Sequence, residues 1–443
     1  MWLRASEIAE KTPSERNRYV DLLRALSISA VVFGHWLMAA PYYEVNLVQP
    51  ELGAPKIAHL LDVRPWARWL TWLLQVMPVF FFVGGFSNGV SWDGAQRRTQ
   101  TYSTWLEARM RRLLGPVVPL ILLWVVVAIC GFVFGVASNS IKIASQIALV
   151  PVWFLAIYFV IVMLVPISRH AWHQYGYLSI VVPMGLAAIG DVLYFNSSLQ
   201  WLGWFNYLFV WSAVHQLGYA WQQDRLGNAA SNLLMAGCGV TVLILLTVYG
   251  PYPISLVGVP SQEFSNTTPP KLPLLALGIT QIGLLLALEK PIRNWLSRRR
   301  VWTTTVLVNG LIMPIFLWHS TVMMLLIGVC FWLAPSLLIA LPGTLEWWSY
   351  RPVWVAVFMI VMLVMLPLFL LLEKIITSNP REDVSVVQLM IAAICMCLGL
   401  ALLAGSGVTG SGALGLNWLA CSLPLVGGFV AMFRLPKLLT KTK

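Results

Sequence analysis

Apolar residues along this chain come in long blocks rather than in alternation. From Tyr19 onward, blocks of roughly 18 or more residues recur, each long enough to cross a bilayer as a helix. Short polar stretches separate them. The pattern predicts twelve spanning helices near residues 20–40, 67–91, 113–136, 147–167, 178–195, 201–221, 233–250, 271–288, 304–331, 353–373, 386–404 and 416–433. The predicted fold class is an all-α, polytopic transmembrane helix bundle, with too little chain between spans for a sizeable soluble domain. Two intervening segments, 41–66 and 251–270, exceed what a turn requires. The second is rich in Pro, Ser and Thr, and reads either as a functional loop or as a solvated linker. Residues 405–415 read as a flexible turn.

Composition agrees with a chain solvated mostly by lipid. Of its 443 residues, 59% are hydrophobic and 10% charged, against about a quarter charged in a soluble domain. Many of the 22 tryptophans stand at block ends (Trp66, Trp69, Trp92, Trp201, Trp302, Trp347, Trp348), where an interfacial aromatic belt is expected. The six cysteines lie inside apolar blocks without disulfide or metal-ligand spacing. They read as buried small hydrophobes, and no metal is expected. The polar segment before the first span lacks a cleavage site of the A-x-A kind, so that span is expected to stay in the protein.

Charge then sets orientation. With the N-terminus in the cytoplasm, 23 of the 29 Lys and Arg fall inside, and Lys56, Arg64, Arg68, Lys142, Lys271 and Arg351 fall outside. The positive-inside rule favours this arrangement, and an even number of spans puts both termini in the cytoplasm. The net charge of +12 is thereby a matter of topology and of contact with anionic lipid. The basic residues sit in short loops beside spans, so nucleic acid is not an expected partner.

Ionisable residues inside spans are rare and usually functional. In RYVDLLRALSISAVVFGHWLM, Arg24 and His35 are eleven residues apart. Three turns plus about 20° puts both on one face, roughly 16 Å apart along the axis. Asp21 falls near the same face, as does Ser27. The plainer account of His35 is a structural histidine bonded to a neighbouring helix; the aligned Arg24 favours function. His319 and Asp191 lie at a similar distance from the cytoplasmic ends of their predicted spans, about 20 Å, a level at which they can meet His35 or serve as interhelical hydrogen-bond partners. His215, beside Gln216, either lines a cofactor path or packs near the interface. Gln281 and Asn309 are weaker candidates. Arg109 and Arg112 in WLEARMRRLLGPVVP are i, i+3 neighbours whose donor forks suit phosphate, although cytoplasmic topology alone also accounts for them. Gly84–Gly85 suits close helix packing. No P-loop, dinucleotide fingerprint, HExxH or G-x-S-x-G is present.

Together these segments resemble the acyltransferase-3 family of membrane acyltransferases. Asp21, Arg24 and His35 are similar to that family's opening segment. PVFFFVGGF (Pro78 to Phe86) resembles its second-span motif, with Gly84 where the family usually has serine, so no hydroxyl role is assigned there. EARMRRLLGPVVP resembles its Arg-x-x-Arg segment, VWFLAIYFVIVMLVPI its Trp-Phe-Leu span, and IFLWHS its late histidine span. The resemblance covers roughly residues 15–375. It implies a cytoplasmic N-terminal arm (1–18), a ten-helix transmembrane acyltransferase core (19–375), and two additional helices with a basic cytoplasmic tail (376–443).

The implied activity is transfer of an acyl group, often acetyl, from acyl-CoA to a hydroxyl of a sugar, glycolipid or glycan in the bacterial cell envelope. Acetyl-CoA or another acyl-CoA is expected as donor substrate, with no permanently bound cofactor; membrane lipids are further partners. Arg109, Arg112 and Arg24 are expected to hold the CoA phosphates, with His215 beside the donor path. His35 is expected to act as base or acyl carrier, with Asp21, His319 and Asp191 completing the catalytic set. A proton-coupled transporter or lipid flippase without covalent chemistry is the rival class; the two halves of the chain show no convincing internal repeat, which counts mildly against it. A sensor or scaffold has only the loops in its favour.

Overall fold

The computed structural model describes residues 2–13, 16–45, 52–196, 198–377 and 384–432. Each predicted span falls on a helix. In chain order these are α1 (Arg18–Met38), α2 (Met77–Arg97), α3 (Val117–Val133), α4 (Ser138–Met163), α5 (Leu178–Asn196) and α6 (Asn206–Gln222). They continue with α7 (Ala229–Ile244), α8 (Leu272–Ala287), α9 (Arg299–Leu333), α10 (Leu345–Thr377), α11 (Val386–Ser406) and α12 (Trp418–Met432). Among the described residues, nine helices are long and apolar enough to cross a membrane, ten if α8 and the bent continuation Glu289–Leu296 count as one span. The remaining predicted spans are covered by the shorter α6 and α12. Arg381, Arg434, Lys437, Lys441 and Lys443, assigned above to the cytoplasmic side, lie outside the described residues.

The chain divides into two compact units. The first comprises residues 1–91, 164–313 and 334–355. Here α1 starts where the Asn17 side chain accepts from the backbone N–H groups of Tyr19 and Val20, meeting two otherwise orphaned donors. It stops at Met38, just before Pro41, which disfavours helix for the residue ahead of it. The chain then runs into an antiparallel hairpin of β1 (Ala39–Val45) and β2 (Leu52–His59), with Ala39 opposite His59 and Tyr42 opposite Lys56. Helical periodicity did not predict this hairpin. A broken entry to α2 follows, a 3-10 turn at Pro65–Leu70 and a short helix at Thr71–Leu74. The break frees the carbonyls of Trp72 and Gln75, and Gln281 of α8 donates to both, as a buried backbone acceptor requires.

Close packing of α2 on α6 rests on two glycines. A Cβ at Gly85 would overlap the carbonyl of His215, and one at Gly218 would overlap the carbonyl of Phe82. Small residues let helix backbones approach in this way. The stacked pairs Phe81–Trp211 and Phe82–Trp221 flank the crossing.

The second unit comprises residues 92–163, 314–333 and 356–443. In it, α11 pairs with α12, and both pack against the helix Tyr102–Leu114. The pair also covers α4 and α3 through α11 and α12 respectively. The turn joining them is held from α4 by Ser145, whose hydroxyl accepts from Val408 N.

Two expectations from composition are corrected. Trp66, Trp69 and Trp201 are exposed, as an interfacial belt requires, but Trp92, Trp302 and Trp347 are buried. Trp302 has an internal hydrogen-bond partner, Thr12, because an indole N–H needs an acceptor once it leaves water. Of the cysteines only Cys421 is buried; Cys130 and Cys238 are exposed, with the others between. On helices that cross a bilayer an exposed thiol faces lipid, which is as apolar as a protein core.

Candidate active site

The N-terminal end of α1 carries a chain of charges. Asp21 is buried, and its carboxylate accepts from Arg16 Nε at 2.7 Å and from Arg16 Nη2 at 3.1 Å. Those hydrogen bonds raise Arg16 above the usual guanidinium value. Arg24 stands 3.7 Å from the same carboxylate and donates from Nη2 to Ser87 Oγ on α2 at 2.8 Å. Asn309 of α9 donates to the Asp21 carbonyl at 2.8 Å. The aspartate is thus held from its backbone and its side chain, and presents Arg24 to α2. Ser27, predicted on the same face, bonds back to the Leu23 carbonyl.

His35 lies in the last turn of α1, at the opposite end of the helix from Arg24 and nearer that end than the middle of the span. It is half-buried. The backbone N–H of Ala39 donates to its carbonyl, and Ala39 pairs with His59 in the hairpin. The two histidines therefore sit at one end of the unit. Burial lowers the His59 imidazole below its ordinary value, with Asp62 acting against the shift. Its Nδ1 has no hydrogen-bond partner among the described residues.

His215 is fully buried on α6. Its Nε2 is 3.1 Å from Asn88 Nδ2, and its ring meets Tyr219 edge to face. Asn88 follows Ser87 on α2, so Arg24 and His215 engage consecutive residues of the same helix.

Asp191 has a different setting. Its Oδ1 accepts from Asn206 Nδ2 at 2.9 Å. Its Oδ2 accepts from the Tyr252 hydroxyl at 2.9 Å and from the Leu272 N–H at 2.8 Å. The first N–H of α8 thereby meets a carboxylate, the charge a helix N-terminus favours. Lys271 lies over the Tyr194 ring, 3.7 Å from its centroid; burial lowers it to about 8 against the attraction of Asp191. Burial also raises the Tyr252 phenol, with Asp191 adding to the shift. Asp191 thus ties both ends of the 251–271 segment to α5, and its neighbours are these donors rather than a histidine.

The second unit holds the remaining candidates. Arg109 and Arg112 project from the helix Tyr102–Leu114, which Thr101 caps through its side chain. Arg109 is half-buried, with its guanidinium 5.6 Å from the Trp105 ring centroid, and Arg112 is exposed. The intervening Arg111 donates from Nε to buried Glu107 at 2.9 Å. His319 is fully buried within α9, with Nδ1 2.7 Å from the Phe316 carbonyl and Nε2 3.1 Å from Ser320 Oγ. Thr321, next in line, accepts from Trp124 Nε1.

Sequence reasoning passed over Ser87, Asn88 and His59. Ser87 and Asn88 stand as a polar pair in an apolar block, which is a usable signal. Their partners are 63 and 127 residues away, beyond the reach of any spacing rule. His59 is found only through the hairpin register. Among the described residues no cluster of His, Cys, Asp and Glu fits a metal ion.

In comparison with known families, a family model described as acyltransferase domain, acyltransferase-3, matches residues 17–372. Neither the curated proteins nor the solved structures yield a match. The matched stretch takes in α1 with Asp21, Arg24 and His35, and runs on through nearly all of α10. With its long apolar helices and that match over most of its length, the chain belongs to the acyltransferase-3 family and is an integral membrane acyltransferase.

Proposed function

We propose that the protein transfers an acyl group, acetyl in the simplest case, from cytoplasmic acyl-CoA to a hydroxyl of an extracytoplasmic sugar, glycolipid or glycan. The observation that carries this reading is the placement of Arg24 and His35 on one helix, near its opposite ends and on one face. Eleven residues of helix separate a phosphate-binding cation from a proton acceptor by about 16 Å. Arg24 holds CoA phosphate through its guanidinium donors, and Arg109 and Arg112 offer the same donors on their own unit. Asp21 positions Arg24, and His215 lines the donor side through Asn88.

The pantetheine arm then runs along α1 to deliver the thioester near His35. His35 takes the proton from the acceptor hydroxyl as its oxygen attacks the thioester carbonyl. The new C–O bond forms, the C–S bond breaks, and the imidazolium returns its proton to the departing CoA thiolate. Acyl-CoA is a substrate in this scheme and leaves as free CoA. Asp191 acts through the segment it anchors, and His319 is the alternative base. The charge distribution supports a bacterial cytoplasmic-membrane orientation with both termini inside.

The test is CoA release from acetyl-CoA by the purified protein, with and without an envelope extract as acceptor source, for wild type and His35→Ala. Acceptor-dependent release that falls at least about a hundredfold in the variant, within the usual range for removing a general base, is expected. Release that survives the substitution moves the base to His319. Absence of acyl-CoA binding and turnover under every acceptor condition overturns the enzyme reading in favour of transport.

A further inference from the structure

Arg351 is the most deeply buried arginine near the His35 end of α1. It lies in the second turn of α10 and is 5% exposed. Its Nη2 donates to the Ala39 carbonyl at 2.6 Å, and its guanidinium lies 3.6 Å from the centroid of the Trp347 ring. Its Nε is buried and has no hydrogen-bond partner among the described residues. A buried donor left unmet is costly, more so on a charged group. Such a donor is one that an ordered water or a ligand meets in the working state.

The arginine lines a small recess with Pro41, Leu338, Trp347, Tyr350 and Trp354. The walls are aromatic and aliphatic, with a single cationic group among them. Aromatic rings suit the apolar faces of a sugar ring, and a guanidinium suits a carboxylate or phosphate oxygen. The recess also lies close to the proposed base. Ala39, which Arg351 contacts, is one turn beyond His35, a rise of about 6 Å.

We propose that this recess is the acceptor subsite, and that it takes a saccharide bearing an anionic oxygen. Arg351 binds the carboxylate or phosphate while Trp347, Tyr350 and Trp354 enclose the ring, which brings a ring hydroxyl toward His35. The assignment rests on the acyl-transfer reading for its role, while the binding it asserts is independent of turnover. The same anionic chemistry is offered by a phospholipid headgroup, so the experiment separates the two sources.

The experiment measures binding and not catalysis. Thermal unfolding of the purified full-length protein in neutral detergent is followed against glucuronic acid, glucose 1-phosphate and glucose. Parallel samples are reconstituted in phosphatidylcholine nanodiscs with and without phosphatidylglycerol. The expected result is a saturable rise in Tm with the two anionic sugars and none with glucose. The apparent Kd weakens at least about tenfold in Arg351→Gln and is largely retained in Arg351→Lys. A rise produced by phosphatidylglycerol and abolished by Arg351→Gln, with no response to either anionic sugar, overturns the saccharide subsite and assigns the recess to lipid. No response to any probe, or equal responses in wild type and a folded Arg351→Gln, overturns the site altogether. Either result leaves the acyl-CoA turnover test untouched; conversely, binding without turnover keeps the subsite and removes the transferase reading. Where Arg351→Gln does not fold, Arg351→Lys and Tyr350→Ala carry the comparison, and unchanged affinity in both overturns the proposal.

Discussion

Asp191 and His35 are single ionisable side chains of one unit, yet their surroundings give them different work. Asp191 accepts three hydrogen bonds, from Asn206, Tyr252 and the Leu272 N–H, and is spent on holding chain segments together. Hydrogen bonds to a charged group contribute about 1.5–3 kcal/mol each, and their donors are stranded when the carboxylate goes. Asp191→Ala is therefore expected to lower the thermal midpoint by several degrees, with activity lost in proportion to folded protein; an unchanged melting curve would contradict the strut. His59 makes a prediction about pH. Its folded-state value lies below the ordinary 6.5 because burial disfavours imidazolium. Below pH 6.5 the unfolded chain binds more protons than the folded one, so stability falls as pH falls from about 6.5 toward the depressed value. Above 6.5 this group adds no slope. Melting curves between pH 5 and 8 should show that decline, and His59→Gln should flatten it.

At the scale of elements, the arrangement depends on how closely α2 approaches α6. The backbones meet at Gly85 and Gly218, and that contact sets Ser87 and Asn88 against Arg24 and His215. Gly218→Ala puts a methyl group into the Phe82 carbonyl. Overpacking of this kind costs about 1–3 kcal/mol, and relief requires the helices to part. The expected outcome is a lower thermal midpoint and a raised KM for acyl-CoA, measured on protein that still elutes as one species. An unaffected KM would separate the crossing from the donor side. Much of this was legible in sequence. Gly84–Gly85 marked a close approach, although it is Gly85 that makes the contact, and the alignment of Asp21, Arg24 and His35 follows from helix geometry alone. The hairpin was not legible: Ala39 to His59 has neither helical nor strict alternating periodicity, and its pairing is decided by the end of α1 and the packing of Leu60, Leu61 and Trp347 beneath it. The partners of Asp191 were hidden for a similar reason, since they come from three separate stretches of chain.

For the molecule as a whole, the matched family region stops at residue 372, before α11 and α12. Those two helices pack on the helix that carries Arg109 and Arg112, beside a small recess lined by Glu107, Arg111 and Met396. Deleting residues 384–443 uncovers that helix and is expected to raise KM for acyl-CoA more than it lowers kcat. A truncated protein with wild-type KM would show that the pair is dispensable for the donor. Helix class was readable from block length, because only a helix satisfies its own backbone in lipid, while of the twelve predicted spans nine or ten are long and apolar enough to cross among the described residues. Which tryptophans and cysteines face inward was not, since lipid and protein interior select the same side chains.

The Asp191 carboxylate has one last consequence. A single oxygen holds both Tyr252 and Leu272, so the segment between them leaves and re-enters the bundle at one clasp. Near its start it is also sewn down, where Trp72 and Gln75 reach Ile254 and Leu256. Its middle, around Ser261, touches the rest of the unit through Asp62. Extra chain inserted at the exposed stretch around Ser261 would therefore lengthen the segment without opening the clasp, like a longer strap on the same buckle.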